Sequence, residues 1–122
     1  MDIGTDIIEI ERVDRLLKKH PNFRSRVFTD REISYCEQKK YPAQHYAVRF
    51  AAKESILKTL VKEDIEIISF KDLEILNGRS GKPEVYLHNH ARRLSQKQGI
   101  KAIKISLSHC KTYAIAVAQI IT

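Results

Sequence analysis

The 122-residue chain is long enough for one ordinary domain with a modest core, and an apolar content of 43% sets it apart from disordered tails. Its net charge of +7, from 22 Lys/Arg against 15 Asp/Glu, favours anionic partners: nucleic acid, phosphorylated small molecules or an acidic protein. No apolar run approaches the roughly 20 residues of a membrane-spanning helix, and the acidic start MDIGTDIIEIE lacks the basic flank and cleavage site of a signal peptide.

Residues 2–9 are β-rich and predict a strand. Residues 11–19 predict a short basic helix that ends near Pro21. Thr29 followed by Glu32 is a capping box, opening a helix to about Lys40. Pro42 then opens a longer helix over 43–62, apolar nearly all round and so expected in the core. Residues 66–76 predict a strand, 77–83 a turn and 84–87 a returning strand. Residues 88–98 predict a helix closed by Gly99, and 101–108 with 112–120 two strands joined by a tight turn. No repeat or linker interrupts the chain, so residues 1–122 read as one domain. The expected class is α+β: a mainly antiparallel sheet packed on a long core helix.

Glu54 and Lys58 lie one turn apart on one face of that helix, beside Ala47, Phe50, Ala51 and Val61. A plain surface ion pair, worth roughly 0.3–0.5 kcal/mol, is one reading. Charges amid apolar neighbours point instead to a partner ion, a metal or a phosphate. Asp6 stands in an apolar strand, where aspartate is unfavourable. It either caps a neighbouring turn or binds a hard cation: Mg²⁺ takes one or two protein carboxylates plus phosphates and water, and Asp6 with Glu54 could supply them. His109 continues the apolar face of Ile103, Ile105 and Leu107, as a core histidine would. Ser106 and Ser108 fall on the other face with no identifiable base, and Cys110 points away from His109. Glycines in Gly78-Arg79-Ser80-Gly81-Lys82-Pro83 let backbone approach a phosphate, although a plain hairpin turn explains them better. Cys36 and Cys110 show neither metal spacing nor a disulfide framework, which predicts a reducing, cytoplasmic setting.

Five segments in order resemble the holo-acyl-carrier-protein synthase family, the short trimeric class of phosphopantetheinyl transferases. They are Gly4-Thr5-Asp6-Ile7, Phe28-Thr29 with Glu32, Arg49-Phe50-Ala51-Ala52-Lys53-Glu54-Ser55 with Lys58, Gly81-Lys82-Pro83, and Ser106-Leu107-Ser108-His109. The resemblance implies transfer of 4′-phosphopantetheine from coenzyme A to a serine of apo-acyl carrier protein, for fatty acid biosynthesis. It implies that Asp6 and Glu54 bind Mg²⁺ with the coenzyme A pyrophosphate, and that Lys58 contacts the phosphates and assists the departing 3′,5′-ADP. Glu54 becomes the first candidate for activating the serine. Arg49, Lys53, Gly81, Lys82, Pro83 and His109 would line the coenzyme A site. Arg12 and Arg26, with Arg15 and Arg24 beside them, would meet the acidic carrier protein. The sites would lie between protomers of a homotrimer. The segment 60–66 lacks the glycines relatives carry there, which predicts a stiffer or differently shaped loop.

Two other readings compete. A nucleic-acid-binding module would rest on the charge and on Tyr35, Tyr41 and Tyr46 among the bases, without any recognised binding motif. A non-catalytic scaffold would bind the acidic carrier protein and transfer nothing.

Overall fold

The computed structural model describes residues 2–62 and 68–122. Strand β1 (Asp2–Glu9) turns Gly4 and Ile8 inward and leaves Ile3 and Ile7 outside. Helix α1 (Ile10–Lys19) follows at once and buries Ile10, Val13 and Leu17, spaced as one helical stripe. A short α2 (Phe23–Val27) leads into α3 (Asp30–Glu37). The capping box forms as the sequence predicts: the Glu32 N–H donates to Thr29 Oγ1 at 3.2 Å, and the Thr29 N–H to Glu32 Oε1 at 2.9 Å. Helix α4 (Pro42–Leu60) has proline in its first turn and is buried on nearly every side.

The remaining elements are a 3₁₀ turn (Phe70–Asp72), β2 (Leu73–Asn77), β3 (Pro83–Leu87), α5 (Asn89–Lys97), β4 (Ala102–His109) and β5 (Tyr113–Ile121). Strands β1, β5 and β4 form one antiparallel sheet in that spatial order, and β2 pairs with β3 in a separate hairpin. The expected α+β architecture, with antiparallel strands on a long core helix, is the one observed.

Helix α3 stops at Glu37 short of Lys40, α4 stops at Leu60 short of 62, and two further features differ from expectation. The strand expected over 66–76 begins only at Leu73, because Phe70–Asp72 coils into the 3₁₀ turn and the Phe70 carbonyl is taken by Lys53. Its first two positions, like residues 63–66 of the glycine-free segment, lie outside the described residues. The five-residue α2 is too short to announce itself by periodicity.

Helix α4 crosses the inner face of the sheet, which is built from small residues. Ala114, Ala116 and Ala118 of β5 are fully buried there. Gly4 comes so close to α4 that a Cβ in its place would collide with the Ser55 carbonyl oxygen and reach within 2.8 Å of Thr59 Cγ2. The helix therefore rides low on the strands, and side chains two residues along β1 meet those one turn along α4.

Candidate active site

Asp6 follows Gly4 on the inward face of β1. Its Oδ1 accepts from Lys58 Nζ at 2.8 Å, and the same ammonium donates to the Thr5 carbonyl at 3.1 Å. Glu54 stands one turn before Lys58, half-buried, and makes no hydrogen bond or ion pair among the described residues. Burial raises its carboxyl above the usual glutamate range, and the charge of Asp6 raises it further; Lys58 and Arg12 pull the other way. Asp6, Glu54, Lys58 and Arg12 thus share one partly open site at the β1 edge of the sheet, brought together from three elements.

Two neighbouring carboxylates, one without a partner, form an oxygen-only donor set suited to a hard cation. The repulsion between them is what such an ion would relieve. No group of three or more His, Cys, Asp or Glu able to hold a metal occurs among the described residues, so any cation here depends on further oxygens from a ligand or water.

A second cluster surrounds Arg49. Arg49 is 2% exposed yet has no carboxylate partner among the described residues. It donates to the Ile75 carbonyl (3.2 Å), the His45 carbonyl (3.4 Å) and Asn77 Oδ1 (2.8 Å), and lies 4.2 Å from the centre of the Tyr35 ring. His45 packs edge-on against both Tyr35 and His109, with centroids 5.9 and 5.8 Å apart. Burial lowers the His45 imidazole, and Arg49, His109 and Lys39 push it further down. With Arg49 and Lys39 against the Tyr35 ring and no acid bonded to Arg49 among the described residues, the cluster suits an anionic ligand. His109 is exposed, at the mouth of this cluster rather than in the core.

Gly81 and Lys82 are exposed in the β2–β3 turn, and Pro83 is half-buried. Lys82 and Pro83 border a groove of about 730 Å³ between β3 and β4, floored by Val85, Ile103, Ile105 and Leu107. In register, Asp6 pairs with Ala116 and Ala116 with Leu107, so β5 separates the Asp6 site from the β4 groove.

Lys53 departs from its expected place. It is fully buried, and its ammonium donates to the Val27 carbonyl (2.7 Å), Glu32 Oε1 (2.7 Å) and the Phe70 carbonyl (3.0 Å). All three N–H bonds are used, so none remains for a ligand; Lys53 instead joins α2, α3 and the 3₁₀ turn to α4. Burial lowers this ammonium, with Glu32 opposing. Arg12, Arg15 and Arg26 are exposed, the first two beside a hollow that shares His20 with a second hollow at Phe23 and Arg26. Arg24 turns inward instead, 5.5 Å from the centre of the Tyr46 ring. The three tyrosines form no stacking platform: Tyr46 is buried with its hydroxyl on Glu37 at 2.9 Å, Tyr35 is covered by Arg49 and His45, and only Tyr41 is exposed.

Sequence reasoning missed His45 and Asn77 and read Tyr35 only as a nucleic-acid contact. His45 lies one turn before Arg49 on α4, a spacing that offered a signal; Asn77 and Tyr35 reach Arg49 only through the tertiary fold.

The model of the 4′-phosphopantetheinyl transferase superfamily matches residues 2–118. The holo-acyl-carrier-protein synthase of Moorella thermoacetica is 44% identical over 120 residues, 98% of this chain and 93% of the relative. The Neisseria meningitidis holo-acyl-carrier-protein synthase superposes with a TM-score of 0.88 at 30% identity, covering 98% of this chain and 97% of that one. The Helicobacter pylori enzyme, solved in complex with coenzyme A, gives 0.83 at 28% identity, covering 98% and 100%.

Proposed function

The chain belongs to the 4′-phosphopantetheinyl transferase superfamily, and from that premise we propose that it is a holo-acyl-carrier-protein synthase serving fatty acid biosynthesis. The observation that carries the reading is the meeting of Asp6, Glu54 and Lys58 beside Arg12. In the reaction, a serine oxygen of the carrier attacks the pantetheine-bearing phosphorus of coenzyme A. The bond from that phosphorus to the oxygen bridging to 3′,5′-ADP breaks, and the proton leaves the serine. Such transfers depend on positioning and charge neutralisation more than on covalent chemistry.

Asp6 and Glu54 would hold Mg²⁺, which when bound supplies positive charge at the pyrophosphate. Lys58 would neutralise phosphate charge and assist the leaving 3′,5′-ADP. Glu54 is the first candidate to activate the serine, directly or through a metal-bound water. Arg49, His45 and His109 would line the coenzyme A site, and Lys82 and Pro83 border the groove for its adenosine end, with Gly81 beside them in the turn. The exposed Arg12, Arg15 and Arg26, interleaved with Leu16 and Phe23, suit an acidic carrier protein.

The assembly we infer is a homotrimer. The outer sheet face exposes Ile3 (67%), Ile7 (62%), Ile115 (40%) and Val117 (38%), apolar surface that a second copy would cover. The Asp6 site and the Lys82 groove stand at opposite edges of the sheet, which suits a coenzyme A bridging two protomers. We take residues 1–122 as one transferase domain. No described helix is long and apolar enough to cross a membrane, and the free Cys36 and Cys110 accord with a cytoplasmic setting.

The test is incubation with coenzyme A, Mg²⁺ and an apo-acyl carrier protein, followed by mass measurement of the carrier. A Mg²⁺-dependent gain of one phosphopantetheine with release of 3′,5′-ADP establishes the reaction. No gain with several apo carriers that a known transferase modifies overturns it.

A further inference from the structure

We propose that Asn77 is a positioning residue of the donor site, its side-chain amide tethering the Gly81-Lys82-Pro83 turn to Arg49 of α4. The proposal rests on the transferase reading and adds to it a residue that none of the five family segments contains.

Asn77 ends β2 and pairs across the hairpin with Pro83. Its two amide atoms do different work. Oδ1 accepts from Arg49 Nη2 at 2.8 Å, while Nδ2 donates to the Gly81 carbonyl at 2.8 Å. Arg49 is a fixed point, held also by the Ile75 and His45 carbonyls and stacked on Tyr35. The turn is not fixed by itself. Its own backbone bonds run from the Gly78 N–H to the Lys82 carbonyl (2.8 Å) and from the Gly81 N–H to the Gly78 carbonyl (2.9 Å). Both stay inside the loop, and beyond the β2–β3 pairing at its base neither ties it to α4. Gly81, at φ +83°, is exposed, and a Cβ added there would meet nothing within 4 Å.

Asn77 thus supplies a link from the turn to the helix that carries Glu54 and Lys58. It decides how Lys82 is presented at the groove. An amide is required, because the link needs an acceptor for the guanidinium and a donor for the carbonyl at once. Aspartate keeps the first and loses the second; alanine loses both.

That difference separates positioning from mere satisfaction of Arg49. The readouts are KM for coenzyme A and kcat in the carrier-modification assay, with coenzyme A affinity by calorimetry, for Asn77→Ala and Asn77→Asp. The link lies at an exposed rim, so KM and Kd should rise about three- to tenfold in both variants while kcat stays within about twofold. Asn77→Asp retains the partner of Arg49 and should melt as the parent protein does. An unchanged KM in either variant overturns the proposal; a rise in Asn77→Ala alone would mean that Asn77 only satisfies Arg49. Absence of transfer by the parent protein would overturn the transferase reading instead, a result distinct from parent turnover with variants of normal KM.

Discussion

Lys58 Nζ stands 2.8 Å from Asp6 Oδ1, a contact across 52 positions that fastens the last turns of α4 to the middle of β1. Half of the lysine side chain is open to solvent, and exposed pairs of this kind add only about 0–1 kcal/mol. The contact serves placement more than stability.

Accordingly, Lys58→Met and Asp6→Asn should each lower transfer by at least about 100-fold while thermal midpoints stay close to that of the parent protein. Mg²⁺ should raise the melting temperature of the parent and leave Asp6→Asn unmoved, and chelation should abolish transfer until Mg²⁺ is restored. Near-normal turnover in Lys58→Met would remove it from phosphate handling.

Glu54 carries a pH signature. Its carboxyl lies above the ordinary 4.5 because burial disfavours the charge and Asp6 repels it. The folded chain therefore binds this proton more tightly than the unfolded one. The stabilisation is complete below the unfolded value and is lost as pH rises through the folded value. Without Mg²⁺, Glu54→Gln should melt above the parent at pH 8 and match it by about pH 4. The same substitution should depress kcat at saturating Mg²⁺. Equal melting curves at both pH values would show that the site imposes no such strain on Glu54.

Lys53 tests the difference between a ligand contact and a structural tie. Lys53→Met strands Glu32 without its cation and should cost about 3–5 kcal/mol in urea unfolding. The double variant Lys53→Met/Glu32→Gln should recover part of that loss. A folded Lys53→Met with normal stability but weakened coenzyme A binding would return Lys53 to the donor site.

For the carrier surface, Arg12→Glu combined with Arg26→Glu should weaken carrier binding more than tenfold at low salt, chiefly through slower association. Coenzyme A affinity should be unaffected by Arg26→Glu alone, since Arg26 lines the hollow at His20 and Phe23 and is not among the charges that act on Glu54. Surface plasmon measurements at two salt concentrations decide the matter: carrier binding that ignores both charge reversals would require another docking face.

The outer sheet face predicts its own disruption. Ile7→Glu, beside Ile115 in register, should shift sedimentation from trimer to monomer and abolish transfer. A parent protein that sediments as a monomer while fully active would refute the shared site.

Much of this fold is written locally. Strict alternation announced β4 and β5, and Thr29 with Glu32 announced α3. The capping glutamate does more than local reasoning could show: Glu32 Oε1 also receives Lys53, and Oε2 receives the Ile75 N–H at 3.0 Å. Such reuse depends on partners 21 and 43 positions away, which no spacing rule reveals. Phe70–Asp72 looked like strand because an apolar residue beside polar ones fits a strand and a tight turn alike. For the site, Glu54 and Lys58 were legible from helical geometry, whereas their meeting with Asp6 needed the close approach that Gly4 permits. Lys53 misled because a motif records which residues recur, not whether they face ligand or core.

The placement of Asp6 and the Lys82 turn at opposite margins of the three-stranded sheet has a genetic consequence. In the inferred trimer, each catalytic unit would draw its two halves from different polypeptides. Two inactive alleles, one altered at Asp6 and one in the Gly81–Pro83 turn, should therefore complement each other. Co-expressed, they would assemble mixed rings in which some units inherit both intact halves, and the recovered turnover would follow the statistics of random subunit mixing.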